Sequence, residues 1–187
     1  AVGGAFGGKE DSSMAVLTAL TAYCGQCAVR LVNQRSASFL AHPKRHPARI
    51  QLRLGAQRDG TLTALEAQVW LNTGAFASYG PAVGSLLTEM LTGPYHISNV
   101  HLDTKVIYTH SPYAGAMRGF GSPQAHFAIE SLMDMLADRL HLDPAELRRR
   151  NLLTRGDLLP TRVVLNETAL GLKPIHERAV AARERLR

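Results

Sequence analysis

An α+β fold, mixing helices with antiparallel strands, follows from three features of the sequence. Residues Ala48 to Gln57 and Thr61 to Leu71 each alternate apolar and polar side chains, and Asp59-Gly60 lies between them. That is the pattern of an antiparallel hairpin. A long amphipathic stretch with helical period runs from the glycine-rich segment ending at Gly121 through Leu140. No βαβ unit recurs, and no internal repeat or low-complexity tract is present. With 187 residues, 45% of them hydrophobic, the chain is long and apolar enough to bury a sizeable core.

The elements follow in order. Gly3-Gly4-Ala5-Phe6-Gly7-Gly8 is a loop, and Ser12 or Ser13 is placed to cap a helix carrying Met14, Leu17, Leu20 and Cys24, which Gly25 stops. Ala28 to Val32 reads as a strand. A polar stretch ends in His42-Pro43-Lys44-Arg45-His46-Pro47, which its prolines keep out of regular helix, so His42 and His46 read as surface or cofactor-edge residues. After the hairpin, Asn72-Thr73-Gly74 and Gly80-Pro81 mark loops. A short helix spans Val83 to Leu91 and stops at Gly93-Pro94, and Val100 to Tyr108 is a further strand. A second glycine-rich loop, Ala114 to Gly121, leads into the long helix. Pro144 opens another helix, whose Arg148, Arg149 and Arg150 read as a solvated or subunit-facing edge. Beyond Gly156 the pattern is weak, although Pro174 to Arg187 fits an exposed helix.

Composition excludes several classes. The formal charge is +6, but the arginines cluster at 148–150 and 178–187 without interleaved aromatics, so nucleic-acid binding is not expected. No apolar run reaches the roughly 18 residues of a membrane span, so no membrane partner is expected. No signal peptide precedes the first glycine loop, and the abrupt start reads as the interior of a longer chain working in the cytoplasm. Cys24 and Cys27 form a single C-x-x-C, half of what a zinc site needs, and read as two thiols in a reducing compartment.

Two glycine loops, each holding a phenylalanine before a helix, remain to be explained. Glycine lets backbone N–H groups approach a ligand closely, and helix N-termini favour anions. Such a pair suits the ends of a large phosphate-bearing molecule, with Phe6 and Phe120 walling a pocket for a flat ring. The first loop is no Walker motif, because Glu10 follows Lys9 where a hydroxyl is required.

The ordered set GGAFGGKE, RHPARIQLRLG, NTGAFASYG, GAMRGFGSPQAHFAIE and ELRRRNLL resembles the molybdenum hydroxylases, the family of xanthine dehydrogenases and aldehyde oxidases. The likeness runs from Gly3 to about Pro160, so residues 1–160 are expected to be a portion of a molybdopterin-binding domain and 161–187 a tail. By that resemblance Phe6 and Gly7 line the metal site and Arg118 faces the cofactor through its main chain, none of them giving molybdenum a side-chain ligand. Phe120 matches a ring that stacks on a flat substrate, and Glu10 matches a carboxylate that hydrogen-bonds a purine. Gln124 is a candidate contact to the dinucleotide part of a bacterial pterin, which makes the cytosine dinucleotide one form the cofactor takes.

The implied chemistry is hydroxylation of an N-heterocycle or aldehyde with oxygen from water. Electrons pass to iron–sulfur clusters and FAD on partner domains or subunits, alongside the remainder of the molybdopterin subunit. The family's general-base glutamate has no match here, so no catalytic residue is expected in this chain. Residues 81–89 lack the arginine of purine-oxidising members, which points away from xanthine itself. The competing expectation is a truncated, non-catalytic piece that folds without metal and serves at most as a protein-interaction module.

Overall fold

A computed structural model describes residues 3–166 and 171–185. The elements are α1 (Ser13–Gly25), α2 (Arg35–Ala41), β1 (Ala48–Ala56), β2 (Leu62–Gly74), α3 (Gly80–Met90), β3 (Asn99–Tyr108), α4 (Ser122–Leu140), α5 (Pro144–Asn151) and α6 (Leu172–Arg185). Helices and a three-stranded sheet of order β1-β2-β3 give the α+β class. In β2 the alternation is plain: Leu65, Ala67, Val69, Leu71 and Thr73 are buried while the residues between them are not, as a strand with one face on a core requires.

The chain divides into two compact units. The second takes Ile50–Val69, Leu86–Thr104 and the described residues from Ser122 onward. Its core joins Leu62, Leu65, Tyr95, Ile129, Met133, Ala137, Leu147 and Leu152. Ala125, Ile129, Met133 and Ala137 recur every fourth residue along α4, so one stripe of that helix is buried. The hairpin turn holds Gly60 at φ 90°. A Cβ there would sit 2.8 Å from a Leu142 methyl and 2.9 Å from one of Leu147, so both backbone and packing select glycine. Asn151, buried at the end of α5, donates to the carbonyls of Gly60 (2.9 Å) and Leu147 (2.8 Å) and accepts from the Leu62 N–H (2.9 Å). Asp143 caps α5 by accepting from the N–H groups of Ala145 and Glu146.

The first unit takes described residues 3–49 with Trp70–Ser85 and Lys105–Gly121. Several expectations fail here. Residues 28–32 form no strand: the sheet order leaves them no ladder to join, and Val32 is exposed. The polar stretch instead contains α2, which ends where His42, preceding Pro43, turns to extended geometry. Ser12 occupies the N-cap of α1 without a side-chain hydrogen bond, and the left-handed residue at the far end is Gln26 rather than a glycine. No residue of α1 is buried. In α3 the helix begins at Gly80 rather than Val83, because proline is tolerated in a first turn. His46 is not a surface residue; it is buried, with Nδ1 2.9 Å from the Asn72 carbonyl. Burial lowers its pKa, and that hydrogen bond works in the opposite direction.

In the second unit Arg148 is likewise more than a solvated edge. Its guanidinium holds Glu130 (Nε to Oε2, 2.8 Å) and Asp134 (2.8 Å), and the Tyr95 hydroxyl donates to the same Glu130 at 2.6 Å. Burial and that carboxylate raise the Tyr95 pKa.

Candidate functional site

The two phenylalanine loops both lie in the first unit, and their backbones meet. The Arg118 N–H donates to the Phe6 carbonyl at 2.8 Å. Gly7 has φ 90°, and a Cβ on it would fall 2.8 Å from the Ala116 carbonyl group and 2.9 Å from Met117 Cα. Only a residue without a side chain lets the loops approach so closely.

Both phenylalanines adopt the left-handed region, Phe6 at φ 53° and Phe120 at φ 49°, and Gly119 and Gly121 flank the latter at 91° and 101°. A bulky L-residue there is strained by about 1–3 kcal/mol and persists only where its surroundings hold it. Two such residues in loops joined by a hydrogen bond mark the place where local preference has been overridden. The Phe6 ring is 65% exposed, so no core packing inside the chain accounts for it. The Phe120 ring meets the ring of Tyr79 edge-on, with centroids 6.0 Å apart.

The segment preceding β1 braces this pair. Lys44 forms a parallel bridge with Ala114, and the Gly115 N–H donates to the Lys44 carbonyl at 3.0 Å. Arg45 Nη2 donates to the Arg118 carbonyl at 2.6 Å. Its Nη1 is buried and takes no hydrogen-bond partner among the described residues. Asp11, just past the first loop, accepts from the Ser78 hydroxyl at 2.7 Å. Tyr113 donates to the Ala41 carbonyl at 3.2 Å, and its pKa is raised by burial and by the negative charge of Asp11.

The structure therefore joins Phe6, Gly7 and Arg118 directly and places Phe120 two residues beyond that junction. Glu10 closes the first loop: its N–H donates to the Gly7 carbonyl at 3.3 Å, and the residue is exposed. Gln124 lies in the first turn of α4, in the second unit, and is half-buried. Arg45, Tyr79 and the Asp11–Ser78 pair were not singled out from the sequence. Only the run of charges and prolines in HPKRHP hinted that the segment holding Arg45 does more than connect two elements. The two thiols, Cys24 and Cys27, are free and exposed at the end of α1. No group of three or more candidate metal ligands occurs among the described residues, and none of their helices is long and apolar enough to cross a membrane.

Comparison with known proteins meets this geometry from outside. A family described as the molybdopterin cofactor-binding domain matches residues 1–152. The chain is 42% identical over 177 residues to the nicotinate dehydrogenase large molybdopterin subunit of Eubacterium barkeri, covering 95% of this chain and 41% of that protein. It is 39% identical over 160 residues to the xanthine dehydrogenase molybdenum-binding subunit of Escherichia coli, covering 85% of this chain and 21% of that one. Among solved structures, the aldehyde oxidoreductase of Desulfovibrio gigas superposes with a TM-score of 0.87 at 29% identity, over 97% of this chain and 20% of that one. The chain thus spans less than half the length of each of these relatives.

Proposed function

Because the chain belongs to the molybdopterin cofactor-binding domain family, we propose that it is part of a molybdenum-dependent hydroxylase that oxidises an N-heterocycle or an aldehyde with oxygen from water. Residues 1–160 act as a portion of the cofactor-binding domain, and 161–187 as its tail. The observation that carries this reading is the meeting of the two strained loops through the Arg118–Phe6 hydrogen bond.

The residues present fit the cofactor. The loops expose glycine backbone, and the buried Arg45 Nη1 beside them is a cationic donor with nothing to satisfy it within the described chain. A buried donor of that kind is costly unless a partner arrives, and an anionic or carbonyl oxygen is the partner its chemistry suits. When bound, the cofactor supplies the oxygen transfer and the two-electron redox chemistry. The chain supplies the walls. Phe6 and Gly7 border the metal site, the main chain of Arg118 runs along the cofactor side with its N–H and carbonyl held by Phe6 and Arg45, and Gln124 contacts the dinucleotide part of a cytosine dinucleotide form.

Phe120 offers a ring face on which a flat heteroaromatic stacks, and Tyr79 packs against it with the two rings near perpendicular. Glu10 stands exposed, and its carboxylate accepts a hydrogen bond from a ring N–H, which favours an N-heterocycle over an aldehyde. The general base comes from outside this chain. Two cysteines cannot hold a four-cysteine cluster, so iron–sulfur centres belong to partner domains or subunits, where FAD is also placed in this reading, next to the remainder of the molybdopterin subunit. The exposed free thiols suit a reducing, cytoplasmic setting.

Replacing Phe120 with Ala in the holoenzyme removes a buried ring contact of about 1.5–3 kcal/mol, so kcat/KM falls about tenfold to a hundredfold. Glu10→Gln removes a charged hydrogen bond of similar worth, and the loss is confined to heterocycles bearing a ring N–H. Molybdenum content, measured alongside, is retained in both. Unchanged kinetics in both variants would defeat the assignment.

A further inference from the structure

The left-handed turn at Gly119-Phe120-Gly121 is not self-supporting, and the chain shows what holds it. Of three consecutive positive φ values, the two on glycine cost little, but the one on Phe120 relaxes toward ordinary backbone unless neighbours prevent it. Within the loop the turn has one hydrogen bond, from the Phe120 N–H to the Met117 carbonyl at 2.7 Å. Arg118 enters the turn with both of its backbone polar groups held: its N–H donates to Phe6 O, and its carbonyl accepts from the guanidinium of Arg45 at 2.6 Å.

Arg45 is itself fixed on both sides. Lys44 is paired with Ala114 and Gly115, and the buried His46 is bonded to the Asn72 carbonyl. The guanidinium therefore hangs from a rigid backbone, and a charge-assisted bond of this kind is roughly twice as strong as a neutral one.

We propose that Arg45 is the positioning residue of the pocket: by gripping the Arg118 carbonyl it locks the second loop against the first and sets where the Phe120 ring stands. This rests on the reading of the two loops as walls of a substrate pocket. Lysine is no substitute, because a single ammonium lacks the planar fork that lets one nitrogen hold Arg118 while the other stays available at the site.

The test measures amide hydrogen exchange in the peptide spanning 114–124, in the holoenzyme and after metal removal, for Arg45→Ala and Arg45→Lys. Exchange there should rise about tenfold in both states for Arg45→Ala, while peptides covering residues 125–140 of α4 and those of α5 stay unchanged. Millimolar guanidinium ion should restore protection in Arg45→Ala, and an equal concentration of sodium should not. The kcat/KM of the holoenzyme should fall about tenfold with molybdenum retained. If Arg45→Ala does not fold, Arg45→Lys carries the same readouts. Exchange in 114–124 indistinguishable from wild type in a folded variant overturns the proposal. Wild-type holoenzyme without molybdenum-dependent turnover would instead sink the functional reading and leave the exchange result standing.

Discussion

Gly7→Ala probes the contact between the two loops with a single methyl group. Two costs arise from the structure. At φ 90° an L-residue carries backbone strain of about 1–3 kcal/mol. The new Cβ would also lie 2.8 Å from the Ala116 carbonyl group and 2.9 Å from Met117 Cα, which are backbone atoms that cannot rotate away. Forcing a methyl into such a space costs about 1–3 kcal/mol more. The sum, roughly 2–6 kcal/mol, should lower the melting temperature of the intact protein by at least about 1 °C, the shift per kcal/mol being smaller the longer the chain. Gly3→Ala is the matched control, because nothing lies within 4 Å of its added Cβ and its φ is not in the left-handed range. Its effect should stay within about 0.5 kcal/mol. Thermal unfolding followed by circular dichroism distinguishes the two. Equal melting temperatures for Gly7→Ala and Gly3→Ala would refute the argument that the loops touch through Gly7.

Other consequences follow from the two units. Asn151→Ala strips three buried hydrogen bonds and leaves the Leu62 N–H and the Gly60 carbonyl unsatisfied. At about 1–3 kcal/mol per orphaned group the loss is about 2–6 kcal/mol, measurable as a drop in the urea midpoint; a loss under about 1 kcal/mol would contradict the bonding described. Two groups give the pH dependence distinct windows. Burial lowers the His46 pKa, so the unfolded chain binds that proton first. The His46 contribution to stability therefore falls as pH drops below about 6.5 and is constant above it, a contribution that His46→Gln should abolish. Glu146, held down to about 2 by hydrogen bonds from Arg149 and Arg150, contributes stability that is lost as pH falls from about 4.5 toward 2. Its side chain is one-third exposed and screened by solvent, so it contributes weakly, and Glu146→Gln should reduce the acid-limb slope without changing the stability at neutral pH by more than about 0.5 kcal/mol.

Periodicity explains which elements could be read in advance. The hairpin announces itself through period-two alternation and Asp59-Gly60, and α4 through a buried stripe at every fourth residue. The signal at 28–32 was a short apolar run without a partner, and such a run cannot say whether a ladder exists for it to join. Helix α2 went unseen because its seven residues, RSASFLA, are too few to show a period. Glycine spacing made the two loops visible, but not their left-handed phenylalanines. No local rule places an aromatic there, and violations of local rules collect at functional sites. Arg45 and Arg148 were obscured for a different reason. Their partners, Arg118 and Glu130, lie 73 and 18 residues away, and a charged side chain's long-range partner leaves no trace in the sequence pattern.

In the proposed function the loops around Phe6 and Phe120 border one molybdenum centre. Anomalous diffraction at the molybdenum absorption edge, from crystals of the holoenzyme containing this chain, tests it directly. A single anomalous peak is expected in this region, flanked on one side by residues 5–8 and on the other by 118–121. A peak that touches neither loop, or only one of them, would contradict it.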